Sequence, residues 1–320
     1  LKYVIGRIIM DLPLNINQLE AFVFTAQHGS FSKAAKVLNK GRTTLSEHVN
    51  NLEIELNIEL FDRNTRNPLL LTDGGKRLLH QASLMLRMAE QLNVVSQSIS
   101  NEEEAELTLS VASVVPNCLV LEIMKSIRKQ FPNTSLCITN QDNEIVLDSL
   151  LNKTTDIALA LTKRNQKIIP PKNLRGVFLC DLPLKFYTSP NSALQLKSSI
   201  SHTDLIMEPC YLLKCLGDMG YKDSRSSTIM HTLARMDLVV NMLDNEGWTI
   251  LPEYCLSHNL YPNKIKELNT DFTATSHSAS IGMGYSTFHM GPVKLALIEV
   301  IKSCFRHFFS AQPSKSLLLE

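Results

Sequence analysis

No stretch of the chain approaches the roughly 18 consecutive apolar residues that a membrane helix needs, and a composition of 44% hydrophobic and 20% charged residues reads as globular, with no membrane partner expected. The seven cysteines, Cys118, Cys137, Cys180, Cys210, Cys215, Cys255 and Cys304, contain no Cys-x-x-Cys pair and no regular spacing. That pattern argues against a zinc site and against a secreted disulfide framework, so a reducing cytoplasm is the expected compartment. The histidines form no His-x-x-x-His pair, and no metal is expected. Gly282-Met283-Gly284 is too short for a dinucleotide fingerprint, and no Gly-x-Ser-x-Gly elbow occurs. With no catalytic constellation, the chain is expected to be neither an enzyme nor a cofactor carrier. The net charge is only +1, so affinity for a polyanion must come from local clustering of cations.

At 320 residues the chain suits two or three domains. Residues 1–12, LKYVIGRIIM and the two that follow, read as a leader or disordered segment with Met10 as a natural start, and 311–320 as a tail. Asn17-Gln18-Leu19-Glu20 has the form of a capping box, and Leu19, Phe22, Val23 and Ala26 then share one helical face until Gly29. Ser30 or Ser32 opens a second helix with Phe31, Val37 and Leu38 as candidate core and the small Ala34 and Ala35 for close contact. A third helix begins near Arg42. Its Leu45, Val49, Leu52 and Leu56 fall on one stripe, which turns Thr43, Ser46, Glu47 and Asn50 outward, with Arg42 and His48 flanking. A polar turn from Asp62 to Pro68 and the strand-like Leu69-Leu70-Leu71 complete a winged helix-turn-helix plan over 13–71.

The charges follow this plan. Lys33, Lys36, Lys40 and Arg42 face a single acid, Glu47, between residues 31 and 48; Arg63, Arg66, Lys76 and Arg77 face only Asp73 between 63 and 77. Compensating acids, Glu53, Glu55, Glu59 and Asp62, lie together between the two clusters. A helix with an apolar edge and an outer row of short hydrogen-bonding side chains suits a major groove, and cations at its entrance and on the wing suit phosphates. The plainer alternative is a helical subdomain whose lysines are ordinary solvated surface.

A helical pattern without proline then runs from Thr72 to about Ser100, with Leu78, Leu79, Leu84, Leu86, Leu92 and Val95 as apolar positions that one helix cannot bury alone. Glu102-Glu103-Glu104 marks a break. Beyond it, strand, helix, strand, helix and strand alternate through Leu161, the signature of a parallel α/β sheet. Further strand signals fall at Val177–Thr188, Leu205–Met207, Trp248–Leu251 and Ile281–Tyr285, with helices expected near 230–244 and over Pro292–Phe309.

The runs FSKAAKVLN, SEHVNNLEIELNIELFDR and LLLTDGGKRLL resemble the amino-terminal signature of the LysR-type bacterial transcriptional regulators, and the order of elements continues the likeness to the carboxyl end. The resemblance implies an α/β multidomain protein: a winged helix-turn-helix, a linker and dimerisation helix over 72–101, and a periplasmic-binding-protein-like effector region of two α/β subdomains, 106–162 with 269–310 and 163–268. It implies double-stranded DNA and a small-molecule effector as partners, and a homodimer or a dimer of dimers. Carried over by position, Ser32 and Lys33 would touch the DNA backbone. Arg42, Thr43, Thr44, Ser46, Glu47, His48 and Asn50 would form the reading face, and Arg63 and Arg66 the wing. The family usually shows Ser-Gln-Pro-Ala-Val-Ser-x-Gln here. Only Ser46 is kept, while Gly41 replaces a capping serine and Arg42 a glutamine, a change that would favour guanine over adenine.

In the effector region the resemblance places Ser113, Val114 and Val115 after the first strand, Asn140 after the second, and Glu208, Pro209, Cys210 and Gly247 on the same cleft. Open N–H groups at a helix start suit an anion, although Ser113 also reads as a plain helix cap. Only Gly247 survives of the family's usual glycine pair, with Asn245 at the other place. Peroxide-sensing members form a disulfide in this region, so Cys210 and Cys215 raise a redox-responsive alternative, against the simpler reading of two half-buried structural thiols. A third reading is an α/β ligand-binding protein whose amino-terminal helices serve only in assembly and do not bind DNA.

Overall fold

The computed structural model describes residues 14–62, 69–140, 143–163, 172–219, 227–272 and 278–310. The expected leader, the tail and the wing arginines Arg63 and Arg66 lie outside the described residues. The chain forms two compact units, Leu1–Ser100 and Asn101–Glu320. Among the described residues no helix is long and apolar enough to cross a membrane.

In the first unit, helix α1 spans Ile16–His28. Its capping box is built by Asn15 and Gln18, three residues apart, rather than by Asn17 and Glu20: the Asn15 side chain accepts from Asn17 N at 2.9 Å and Gln18 Oε1 accepts from Asn15 N at 3.2 Å. Leu19, Phe22 and Val23 are buried, and Gly29 ends the helix in the left-handed region at φ 58°. Helix α2, Phe31–Leu38, buries Ala34 and Ala35, while Val37, expected in the core, is 56% exposed. Helix α3, Arg42–Leu56, buries Leu45, Val49 and Leu52. Strand β1, Phe61–Asp62, pairs antiparallel with β2, Leu70–Leu71.

Glu53, one of the four acids between the cation clusters, has a structural role. It is buried, and its Oε1 accepts hydrogen bonds from Leu60 N at 2.7 Å and Phe61 N at 3.2 Å, fastening the first strand of the hairpin to α3. Helix α4, Asp73–Ser100, starts where Thr72 Oγ1 accepts from Gly75 N at 2.9 Å. Its first turns pack Leu78, Leu79 and Leu86 against the unit's core; further on, Met88, Leu92 and Ile99 are 72%, 69% and 72% exposed.

In the second unit β3 (Glu106–Val111) lies parallel between β4 (Ser135–Thr139) and β5 (Ile157–Lys163), with α5 (Asn117–Gln130) and α6 (Asn143–Leu151) as the connections. The sheet then becomes mixed. Strand β11, Ser278–Ser286, runs antiparallel to both β5 and β6, and β6, Leu174–Thr188, is long enough to pair with β11 along its first part and with β9 (Thr249–Pro252) and β10 (Lys266–Glu267) along its last. The strand order is β10-β6-β11-β5-β3-β4 with β9 also on β6. One hydrophobic core runs from Leu107 through Leu184 and Trp248 to Phe305.

Two elements differ from the sequence reading. Leu205–Met207 is not a strand: Ser201 and Asp204 form a capping box that starts the short helix α7, His202–Ile206, and β7, Cys210–Leu213, follows. The expected helix near 230–244 is split. Met230–Leu233 is β8, parallel to β7, and only Met236–Met242 is helical, as α9. Helices α8 (Lys214–Gly217), α10 (Tyr254–Ser257) and α11 (Pro292–Ser310) complete the chain.

Candidate nucleic-acid interface and effector cleft

The outer face of α3 carries Arg42, Thr43, Thr44, Ser46, Glu47 and Asn50, all exposed, opposite the buried Leu45, Val49 and Leu52; His48 is half-buried. The helix holds them there because its apolar residues recur at intervals of four and three, matching a 3.6-residue turn. Gly41 stands at the N-cap with no side-chain hydrogen bond, so the first N–H groups of α3 are left for another acceptor. Ser32 and Lys33 are exposed at the start of α2. The cations are not equivalent. Lys40 pairs with Glu20 at 2.5 Å and donates to Asn17 at 3.3 Å, and Lys76 pairs with Asp73 at 3.0 Å, while Lys33, Lys36 and Arg42 have no ion pair among the described residues.

The second unit holds a cavity of about 560 Å3 at the carboxyl ends of β3 and β4 and the start of α5. Ser113, Val115 and Asn140 line it. Val114 does not: its side chain is buried and its carbonyl accepts the hydroxyl of Tyr254. Ser113 is not the helix cap, a place taken by Pro116; its hydroxyl donates to Cys215 Sγ at 3.2 Å.

Glu208, Pro209, Cys210 and Gly247 are brought together, but they are absent from the lining of this cavity. Glu208 Oε2 accepts from Gly247 N at 3.1 Å, Pro209 O accepts from Trp248 N at 3.0 Å, and Cys210 N donates to Ile229 O at 2.9 Å. Gly247 sits at φ 82°, and a Cβ there would meet the Tyr211 ring at 2.6 Å, so this cluster fastens β7 to the chain at Trp248. Burial pushes the Cys210 thiol up to about 12 and the Cys215 thiol up to about 11. Neither is in a disulfide.

Side chains that sequence reasoning missed also line the cavity: Asn117 and Cys118 in the first turn of α5, Arg235 and Asp237 at the start of α9, and Tyr261. Arg235 Nε donates to Asp237 Oδ1 at 2.9 Å, and this guanidinium holds the Asp237 carboxyl below its usual range. No spacing in the sequence announces them, because α9 reaches the cavity through tertiary packing.

Residues 16–76 match the bacterial regulatory helix-turn-helix proteins of the lysR family, and residues 100–304 match the LysR substrate binding domain. A probable RuBisCO transcriptional regulator of Cyanidium caldarium is 25% identical over 296 residues, covering 87% of this chain and 90% of that protein. The HTH-type transcriptional regulator BsdA of Bacillus subtilis (strain 168) is 26% identical over 226 residues, 70% of this chain and 74% of that protein. A crystal structure of full-length BenM gives a TM-score of 0.49 at 19% identity, covering 94% of this chain and 100% of that one. Two matches in the order of the two units account for most of the chain, which belongs to the LysR family of bacterial helix-turn-helix transcriptional regulators.

Proposed function

We propose that α3 enters the major groove with Arg42, Thr43, Ser46 and Asn50 against base edges, while Ser32, Lys33 and the open amino end of α3 meet phosphates. The observation that carries this reading is the exposure of those side chains on a helix whose opposite edge is anchored by Leu45, Val49 and Leu52. Thr44, Glu47 and His48 flank the same face, and Arg63 and Arg66 are assigned to the wing. A cytoplasmic homodimer is formed along the exposed apolar side of α4, and two dimers join as a tetramer.

The 560 Å3 cavity takes a small effector with an anionic group, held by Ser113, Val115, Asn140 and the first turn of α5. Glu208, Pro209, Cys210 and Gly247 shape the β7 side of the fold rather than touch the ligand. The effector closes the halves 106–162 with 269–310 and 163–268, and its preference for one arrangement shifts the population of DNA-bound states. Small-molecule control is favoured over thiol oxidation because burial raises the Cys210 and Cys215 thiols and so disfavours the thiolate that oxidation requires. The test is DNase footprinting on the promoter of its own gene with and without candidate small acids. A footprint that no acid alters, but that mild peroxide alters together with Cys210 and Cys215 oxidation, would transfer the proposal to redox control.

A further inference from the structure

Among the described residues Lys294 is the one cation with a buried side chain, at 1% exposure. It also sits in the first turn of α11, where the helix dipole opposes a positive charge. Its ammonium has three donors. One reaches Phe288 O at 3.3 Å; the nearest carboxylate oxygen, Asp156 Oδ1, is at 3.8 Å, beyond hydrogen-bond range. The Thr155 hydroxyl is likewise buried and has no partner among the described residues. Both residues line a separate cavity of about 280 Å3.

The carboxylates nearby are largely engaged. Glu104 accepts from Val293 N at 3.0 Å and from Lys294 N at 3.3 Å, and Asp156 Oδ2 accepts from Thr108 N at 2.8 Å. The incompletely matched buried groups of this cavity are thus an ammonium, which can only donate, and a hydroxyl that can donate beside it. At its rim the Lys153 ammonium lies 4.8 Å from the centre of the Phe288 ring. A ligand that completes these groups must bring acceptor oxygens. Because Glu104, Glu106 and Asp156 also line the cavity, a monoanion is repelled less than a dianion such as phosphate or sulfate.

We propose that this cavity is a second ligand site, for a small monocarboxylate whose oxygens accept from Lys294 Nζ and Thr155 Oγ1 while its apolar end meets Leu107 and Phe288. Desolvation pushes the Lys294 ammonium below its ordinary value, and a bound carboxylate would oppose that shift.

Trifluoroacetate titrated into the full-length chain and followed by fluorine-19 NMR tests this. The site gives a saturable shift in the unaltered protein. Thr155→Val, nearly the same shape, leaves the melting temperature without probe unchanged or raised and weakens this binding about fivefold. Lys294→Met removes the same component, and Arg235→Ala, in the larger cavity, leaves it in place. The site is refuted by no saturable shift, or by Thr155→Val and Lys294→Met curves that superimpose on the unaltered protein's. Should Lys294→Met fail to fold, the Thr155→Val pair of measurements decides alone. Inorganic phosphate displacing the probe better than acetate would overturn the monocarboxylate assignment.

Discussion

Glu53 fastens α3 to the first strand of the hairpin from inside the first unit. Its carboxylate receives Leu60 N and Phe61 N inside the first unit, so Glu53→Ala leaves two buried donors unpaired and is expected to lower stability by about 1–3 kcal/mol, read from urea unfolding. Arg42 is the contrasting case. It is exposed and has no ion pair among the described residues, so Arg42→Ala should leave the urea midpoint unmoved while costing about 1–3 kcal/mol in affinity at one operator position, measured by gel retardation with substituted duplexes. The cysteines set a pH dependence. Burial raises Cys180, Cys210 and Cys255 to about 12 and Cys215 to about 11, against an ordinary value of 9.0. Between those values the folded state keeps protons that the unfolded state releases, so stability falls as pH rises above about 9. Thermal melting from pH 7 to 10.5 checks this, and a flat profile would contradict it.

Helix α3 was legible in advance because its structural information is local: Leu45, Val49 and Leu52 are spaced for one face, and the side chains between them must then point out. Where two local signals compete, the sequence is less decisive. Asn15 has Gln18 and Asn17 has Glu20 three places on, and only the first pair forms the box. Met230–Leu233 carries no turn signal strong enough to separate it from the following helix, and it becomes a strand because β7 offers a parallel partner. The cavity-lining Arg235 and Asp237 were hidden for the same reason, since their approach to Ser113 depends on that packing. At this scale α4 makes the sharpest prediction. Met88, Leu92 and Ile99 are exposed on a 28-residue helix, and Leu92→Glu together with Ile99→Glu should shift the chain toward monomer in sedimentation velocity. An unchanged sedimentation coefficient would move the dimer contact elsewhere.

For the whole molecule, the family match describes a transcriptional regulator with an amino-terminal helix-turn-helix and a carboxyl-terminal LysR substrate binding domain. With a net charge of +1, a general field is too weak to hold DNA, and the proposed contact rests on local groups: Ser32, Lys33, Arg42, the amino end of α3 and the wing arginines Arg63 and Arg66. The most direct measurement is retention of a duplex from upstream of its own gene by the full-length chain, across a series of salt concentrations. Tight retention at low ionic strength is expected, with a logarithmic loss with salt of slope about −0.9 per phosphate contacted, shallower when Lys33 is replaced by alanine. Failure to retain that duplex at any ionic strength, or retention indifferent to salt and to Thr43, Ser46 and Asn50 substitutions, would contradict it.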